Sequence, residues 1–330
     1  MNIFKDLIET RKTGKTCGLY SVCSSQPSVL DTALERAAKS KHPVLIEATA
    51  NQVNQHGGYT GMTPKIFGEK LRQKAEGLGV PEGLFIYGGD HLGPFPWRKE
   101  KASVAMSEAV ALVKAFVAAG AGKIHLDASM PVADDPSGAL DPAVAADRAA
   151  ELCLAAEEEF AHNKALKTKN PPVYVIGTEV PVPGGTAEQG KSMAPIPTKP
   201  ADFHNTVRLH KEAFACKGLG AAWSRVIAVV VQPGMEFNAM HVYPYRRRPA
   251  KELMQALHDY PSLVFEGHST DYQQEDALRM LVEDGVGILK VGPGLTFAMR
   301  EALFGLSYID MELSGSSGKP SVARRATSRR

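Results

Sequence analysis

Short apolar runs rich in β-branched residues alternate along the chain with longer amphipathic stretches. Eight of these runs predict β-strands, over residues 18–24, 43–49, 84–89, 123–128, 173–178, 225–232, 263–267 and 287–291. Between them, apolar residues at helical spacing predict helices, the clearest over 62–79, 103–119, 142–164 and 203–217. Eight strands that alternate with helices favour a closed (β/α)8 TIM barrel of the α/β class over an open doubly wound sheet.

Three segments lie outside this alternation. Residues 1–15 predict an amphipathic helix ahead of the first strand. Five prolines and three glycines between 180 and 200 predict a long irregular loop, and loops of this length in compact domains are usually functional. The small, polar and basic residues 314–330 predict a disordered tail, natural or left by the expression vector. One domain over residues 1–313 is therefore expected.

Composition narrows the class of protein. The chain has 330 residues, 44% of them hydrophobic and 22% charged, with a formal net charge of +2. This near-neutral balance gives no reason to expect nucleic acid or a membrane surface as a partner, and no apolar run approaches the length of a membrane span. The start of the chain is too polar for a secretory signal, and the four cysteines lack CxxC spacing. A reducing cytoplasm is the predicted compartment.

Polar side chains follow the predicted strands at the rim where a barrel carries its chemistry. Asp90 and His91 end the third strand, where the imidazole suits a zinc ion and the carboxylate suits substrate binding or proton transfer. Glu266 and His268 are two residues apart on the seventh strand, so both face the barrel interior and can reach one cation. The alternative for this second pair is a Glu–His hydrogen bond without a metal.

Three further carboxylates lie on the predicted strands. Glu179 ends the fifth strand as a ligand, a base or a partner of Lys290. His125 and Asp127 share one face of the fourth strand; Asp127 is the outermost carboxylate and suits sugar hydroxyls, whereas the deeper His125 is expected to be a satisfied core histidine. Glu47, on the second strand, is a candidate for the substrate site or a buried partner of Lys290.

A glycine-rich turn follows the eighth strand. Backbone N–H groups at Gly292 and Gly294, with Thr296 at the expected start of the last helix, suit a phosphate group. Barrels often bind phosphate after strands seven and eight, where Ser269 and Thr270 would add hydroxyl donors. The alternative is a simple tight turn.

Residues 185–192 match the nucleotide-binding pattern GxxxxGK[ST] letter for letter. A working P-loop follows its strand directly and opens a helix. Here prolines precede and follow the match and block a helix, so no ATP site is expected.

Several stretches between residues 44 and 304 resemble the GatZ/KbaZ family, which is associated with tagatose-1,6-bisphosphate aldolase and related to class II, metal-dependent ketose-bisphosphate aldolases. The matching stretches are IEATANQVNQHGGYTGMTP, GGDHLGP, IHLDAS, GTEVPVPGG, VVQPGMEF, FEGHSTDYQ and LKVGPGLTFAMREALF. The resemblance implies that Asp90 moves a proton and His91 binds a divalent ion, with zinc expected. It also matches Glu179, the strand-seven pair, Lys290 and Thr296 to aldolase site residues.

One departure concerns the ligand set. The aldolases take a further zinc histidine from strand six, where this chain has Gln232. Either Gln232 or Glu236 substitutes, or Glu266 and His268 both serve as ligands, or the zinc site has decayed.

The resemblance implies a role in tagatose and galactitol metabolism with a phosphorylated ketohexose as ligand. The first hypothesis is a non-catalytic subunit that stabilises the catalytic subunit of a class II aldolase in an oligomer. The second is an enzyme that uses retro-aldol chemistry, as an aldolase or a 4-epimerase. The third is a tagatose-6-phosphate kinase.

Overall fold

Eight parallel strands close into a barrel in this computed structural model, which describes residues 3–81, 83–177 and 195–313. In chain order the strands are β1 (Leu19–Val22), β2 (Val44–Thr49), β3 (Phe85–Leu92), β4 (Lys123–Leu126), β5 (Val173–Ile176), β6 (Val226–Val231), β7 (Glu236–Phe237), β8 (Val242–Tyr243), β9 (Val264–Gly267) and β10 (Val286–Val291). The short β7 and β8 form a separate antiparallel hairpin, and β1 closes the ring by pairing with both β2 and β10. The predicted TIM barrel is confirmed.

Helices precede, connect and follow the barrel strands. They are α1 (Ile3–Lys12), α2 (Pro27–Ser40), α3 (Pro64–Gly77), α4 (Ala102–Ala118), α5 (Pro142–His162), α6 (Pro200–Cys216), α7 (Gly220–Trp223), α8 (Arg247–Ala256), α9 (Glu275–Glu283) and α10 (Pro293–Leu313). No helix was predicted over the residues of α8 or α9. Among the described residues, none of the helices combines the length and apolar character that crossing a bilayer requires.

Prolines fix where five of these helices begin, at the first position of α2, α3, α5, α6 and α10. A helix has no partner for its first N–H groups, so a residue that lacks one and has its φ preset is favoured there. In α2 the side chain of Gln26 also accepts the N–H of Val29 at 2.9 Å. The same rule explains a correction: the last helix starts at Pro293, three residues before the predicted Thr296.

The core has two parts. Strand residues that point outward pack under the ring of helices, with Leu34, Phe116 and Phe214 fully buried. Strand residues that point inward form a smaller apolar layer with Ile3, Phe4, Leu7 and Ile8 of α1. The predicted N-terminal helix therefore plugs the lower end of the barrel, and the polar residues of the same strands remain for the opposite rim.

Two predicted segments lie wholly or mostly outside the described residues. The tail over 314–330 is one of them, and the loop over 180–200 is described only from Pro195 onward. Glu179 and the P-loop-like stretch over 185–192 also fall outside. The predictions made for them remain predictions.

Candidate active site

Three imidazoles and one carboxylate meet at the C-terminal rim of the barrel. Ring centroids are 4.9 Å apart for His91 and His125, 4.7 Å for His91 and His268, and 5.5 Å for His125 and His268. With Asp90, each residue offers one ligand atom, and these four atoms lie within 4.8 Å of one another. This spacing allows them to hold a single metal ion.

Strand geometry brings three of these side chains inward. Alternate residues of a strand face the same side, and Asp90, His125 and His268 continue the inward-facing rows of β3, β4 and β9. Because His91 follows Asp90 directly, a regular strand would point it away. Its φ of 47° is left-handed, and the register between β3 and β4 shifts at this point. The distortion lets neighbouring residues serve the same site.

Each imidazole lies against a carboxylate. His91 donates from Nδ1 to Asp127 Oδ2 at 2.6 Å, and His268 donates from Nε2 to Glu266 Oε1 at 3.0 Å. His125 places Nδ1 3.0 Å from Asp90 Oδ1. A histidine whose second nitrogen is held by a carboxylate is the usual arrangement at a metal centre, because the carboxylate fixes the ring and makes the ligand more basic.

The remaining nitrogen of His125 supports this interpretation. His125 is 1% exposed, and its Nε2 is buried with no hydrogen-bond partner among the described residues. A buried polar atom without a partner is costly, and a cation would satisfy it. The donor set therefore fits a divalent metal ion, and three imidazoles with a carboxylate are typical of zinc ligands.

Burial and neighbouring charges shift the pKa values of the titratable groups in the site. Burial lowers the pKa of His91, but Asp90 and Asp127 outweigh it and raise the pKa to about 9. Burial lowers the pKa of His268 to about 4, so this ring is neutral at pH 7. Burial would raise the pKa of Asp90, yet Lys290 and His91 hold it well below its usual range.

Below the imidazoles, two lysines and two glutamates form a buried ion cluster. Lys123 lies 2.7 Å from both Glu47 Oε1 and Glu266 Oε2, and all three residues are 0% exposed. Lys290 lies 2.5 Å from Glu47 Oε2, 2.8 Å from Asp90 Oδ1 and 3.7 Å from Glu266 Oε1. The cluster joins the floor of the site to the barrel interior and fixes one oxygen of Asp90.

The structure rearranges the predicted ligand set. His91 and His268 are in the four-residue group, but Glu266 is not; it lies between His268 and Lys123. His125, expected to be a satisfied core histidine, joins the group instead. Asp127, which was predicted to bind sugar hydroxyls, accepts a hydrogen bond from His91. Glu47 is fully buried, and its contact with Lys290 agrees with the alternative of a buried ion pair.

The two residues considered as replacements for the strand-six histidine lie outside the ligand group. Gln232 Oε1 accepts the N–H groups of Gly234 and Met235 at 2.9 and 3.1 Å. Glu236 is 3% exposed; its Oε1 accepts the Phe237 N–H at 2.9 Å, and its Oε2 is buried with no hydrogen-bond partner among the described residues. Neither belongs to the four-residue group.

The predicted phosphate-binding turn has internal partners. Asp271 Oδ1 accepts the N–H of Gly292 at 3.0 Å and that of Gly294 at 2.6 Å. Thr270 donates to the Lys290 carbonyl at 2.6 Å, and Thr296 Oγ1 lies 3.4 Å from the Ser24 hydroxyl. These contacts stabilise the turn. The N–H groups of both glycines already donate to the Asp271 carboxylate.

A cavity of about 270 Å³ opens over the site. Its lining includes Asp90, His91, His268, Asp127, Lys290, Ser129, Ser269, Asp271, Cys23, Asn51, Gln52, Phe95 and Gly292. Of the three imidazoles, those of His91 and His268 line this cavity.

Three residues in or beside the candidate site were not among the predicted site residues: His125, Lys123 and Asp271. His125 carried a signal, because it is two residues before Asp127 on a strand whose polar residues alternate. Lys123 continues the same row and is fully buried. Asp271 follows the end of β9 by four residues and gave no periodic signal.

Comparisons with known proteins identify relatives of this chain. Residues 4–328 match the family described as D-tagatose-1,6-bisphosphate aldolase subunit GatZ/KbaZ-like. D-tagatose 6-phosphate 4-epimerase of Agrobacterium fabrum is 52% identical over 322 residues, which cover 98% of this chain and 74% of that protein. The D-tagatose-1,6-bisphosphate aldolase subunit GatZ of Klebsiella pneumoniae is 50% identical over 309 residues, covering 94% and 71%.

A solved structure is also similar. The crystal structure of a "probable tagatose 6 phosphate kinase" from Sinorhizobium meliloti 1021 superposes with a TM-score of 0.80 at 45% identity, covering 92% of this chain and 72% of that one. Relatives of one family thus carry three different names, so the names alone do not fix the activity.

Proposed function

Because the chain belongs to the D-tagatose-1,6-bisphosphate aldolase subunit GatZ/KbaZ-like family, we propose that it acts in tagatose 6-phosphate metabolism as a metal-dependent 4-epimerase. The observation that carries the proposal is the convergence of His91, His125 and His268 beside Asp90, with His125 Nε2 lacking a hydrogen-bond partner among the described residues. A subunit with a purely structural role has no need of this arrangement. The 4-epimerase relative matches 98% of the chain.

A divalent ion, with zinc expected, would be held by the three imidazoles and would polarise the substrate ketone as a Lewis acid. A residue of the protein would then accept the proton of the substrate's C4 hydroxyl. Lys290 and His125 contact Oδ1 of Asp90, whereas Oδ2 accepts a weak hydrogen bond from the Cys23 thiol at 3.6 Å, and both Asp90 and Cys23 line the cavity. Asp90 Oδ2 is therefore the atom placed to accept the proton of the C4 hydroxyl.

The reaction that fits these groups is a reversible retro-aldol cleavage. As Asp90 takes the C4 hydroxyl proton, C4 becomes an aldehyde carbon, the C3–C4 bond breaks, and its electrons move to the C2 carbonyl. The products held in the cavity are a three-carbon enediolate and a phosphorylated three-carbon aldehyde. When the aldehyde turns its other face, the C3–C4 bond forms again and Asp90 returns the proton to the C4 oxygen. No oxidant or reductant is needed, and the configuration at C4 is inverted.

Turnover of purified protein tests this proposal. The protein is incubated with tagatose 6-phosphate without ATP, and fructose 6-phosphate is measured, with metal content determined in parallel. We expect conversion that a chelator abolishes and that zinc or another divalent ion restores. Conversion that survives complete removal of the metal would contradict the proposal, as would product that forms only when ATP is supplied.

A second candidate is the subunit function named for the Klebsiella relative. The observation in its favour is the outer face of α10, where Leu306, Ile309 and Leu313 are 60%, 57% and 83% exposed and recur at helical spacing. A protein partner would cover such a face, and the partner we propose is the catalytic subunit of a class II aldolase, within an oligomer.

Mixing experiments test this second candidate. The chain should raise the activity and thermal stability of a class II tagatose-bisphosphate aldolase, and Ile309→Asp should abolish the effect while the chain stays folded. Exposed Val144→Asp on α5 is the matched control and should leave the effect intact. No change in the aldolase on mixing would remove this candidate and leave the epimerase untouched.

We also propose a cytoplasmic location. All four cysteines, Cys17, Cys23, Cys153 and Cys216, are free thiols, as a reducing compartment allows.

A further inference from the structure

The carboxylate of Asp271 caps the N-terminal end of α10. Backbone N–H groups at a helix start after the last barrel strands are where phosphate groups commonly bind. Here Asp271 Oδ1 accepts both of them, from Gly292 at 3.0 Å and from Gly294 at 2.6 Å. The carboxylate thus occupies the position that an anionic substituent of a ligand would take.

The surrounding chain holds Asp271 firmly in this position. Its side chain is almost fully buried, and neighbouring Thr270 is tied to the carbonyl of Lys290 at 2.6 Å. Ser269 and Tyr272 on either side adopt left-handed φ angles of 57° and 63°. A Cβ atom at Gly294 would lie 2.9 Å from Asp271 Oδ1, so the glycine is what allows the carboxylate to approach.

The charges around the cavity also disfavour a phosphate beside Asp271. Among the described lining residues, Asp90, Asp127 and Asp271 are acidic, and Lys290 is the only lysine or arginine. Lys290 is already paired with Asp90 and Glu47. A phosphate placed beside Asp271 would lie next to another negative charge. Among the described lining residues, no unpaired lysine or arginine would offset the repulsion. A hydroxyl group would instead donate a hydrogen bond to the carboxylate.

Asp271 and His268 line the same cavity, and Asp271 follows His268 by three residues in the chain. The His268 imidazole belongs to the group that would hold the metal ion, and the proposed function places the C2 ketone of the substrate at that ion. C2 is bonded to C1 and C3, and C1 is the one that carries a phosphate in a ketohexose 1,6-bisphosphate. The phosphate-bearing carbon of a ketohexose 6-phosphate is four bonds from C2, so we place C1 rather than C6 beside this turn.

We propose that Asp271 is a specificity-determining residue, which accepts the C1 hydroxyl of a ketohexose 6-phosphate and excludes a phosphate from C1. The inference rests on the proposed function and deepens it, because it selects the 6-monophosphate over the 1,6-bisphosphate. It also separates the two activities that the relatives' names suggest, since an aldolase for the bisphosphate must accept a phosphate on C1.

The test compares two substrates with three variants. The kcat and KM values for tagatose 6-phosphate and tagatose 1,6-bisphosphate are measured for the unchanged protein, Asp271→Asn and Asp271→Ser. Glu275→Gln is the control, because it removes one exposed negative charge of α9 outside the cavity. We expect the unchanged protein and the control to prefer the monophosphate by at least tenfold in kcat/KM. Either Asp271 variant should reduce this preference by about tenfold or more, mainly through a lower KM for the bisphosphate.

Equal use of both sugars by the unchanged protein would overturn the inference, and so would a preference that the Asp271 variants leave intact. If neither sugar is turned over, the proposed function fails, and a binding measurement still decides the inference. Inorganic phosphate should then raise the melting temperature of Asp271→Ser but not that of the unchanged protein or Glu275→Gln. The same shift in all three proteins would overturn it. Asp271→Asn keeps an acceptor oxygen for the two N–H groups, which guards against loss of the fold in the serine variant.

Discussion

Asp127 Oδ2 lies 2.6 Å from His91 Nδ1, and this contact fixes which nitrogen of His91 faces the site. An ionised carboxylate only accepts hydrogen bonds, so Nδ1 carries a proton, and Nε2 is the nitrogen that would bind a metal ion after losing its own proton. The same logic joins Glu266 to His268. Both carboxylates therefore act on the proposed metal centre through an imidazole.

Replacing Asp127 by asparagine should weaken metal binding without removing a ligand. The amide no longer fixes the tautomer of His91, and loss of such a partner typically costs 10- to 100-fold in metal affinity. Zinc titration by calorimetry measures the change. Asp147→Asn, which removes an exposed partner of Lys217, is the control and should bind zinc like the unchanged protein. Equal affinity for all three proteins would contradict the assignment.

Replacing His125 by glutamine should abolish tight metal binding. The matched control is His210→Gln on α6, because His210 is equally buried at 1% exposure but lies outside the ligand group and donates from Nδ1 to the Thr206 carbonyl at 2.8 Å. Both variants should lose some stability, but only His125→Gln should lose the ion, as measured by metal analysis after dialysis. Retention of a full equivalent of metal by His125→Gln would rule out His125 as a ligand.

The stability of the metal-free protein should pass through a maximum near pH 6.5. Asp90 and Asp127 raise the pKa of His91 to about 9 against the pull of burial, so its contribution is complete below 6.5 and is lost as the pH rises toward 9. Burial lowers the pKa of His268 and of His210 to about 4, so their contributions are lost as the pH falls from 6.5 toward 4.

Denaturant unfolding in the presence of a chelator, at half-unit steps from pH 4 to 9.5, measures this curve. Asp127→Asn should flatten the limb above pH 6.5, because it removes one of the two carboxylates that raise the pKa of His91. A stability that climbs steadily from pH 6.5 to 9 would contradict the charge arrangement.

Removing Lys123 should destabilise the barrel strongly. Lys123→Met leaves Glu47 and Glu266 buried with Lys290 as their remaining lysine, and loss of one partner of a buried ion pair costs about 3–5 kcal/mol. Lys114→Met is the control, since its pair with Glu158 on the surface at 3.2 Å contributes about 0–1 kcal/mol. Urea unfolding of both variants gives the difference, and similar free energies of unfolding would show that the cluster is not needed for stability.

The barrel could be predicted from the sequence. Eight β-branched runs predicted the strands, because strand formation follows from local backbone preferences. The helix starts were less exact: those predicted at residues 62, 203 and 296 lie two or three residues from Pro64, Pro200 and Pro293, where α3, α6 and α10 begin. The sequence also identified Asp90, His91 and His268 as rim residues, since a strand of known direction places its last inward residues at one end. The family resemblance, now confirmed over residues 4–328, depended on the same short stretches.

The contacts of each of these side chains became evident from the folded structure. His125 and Glu266 are inward-facing residues of their strands in the sequence, yet one joins the proposed ligand group and the other supports it from below. Asp271 reaches Gly292 and Gly294 because β9 and β10 are neighbours in the barrel. Periodicity fixes the face on which a residue lies, but the partner of each atom depends on strand register and on distortions such as the left-handed φ of His91. Those arise from packing between segments that are far apart in the chain, and no local pattern encodes them.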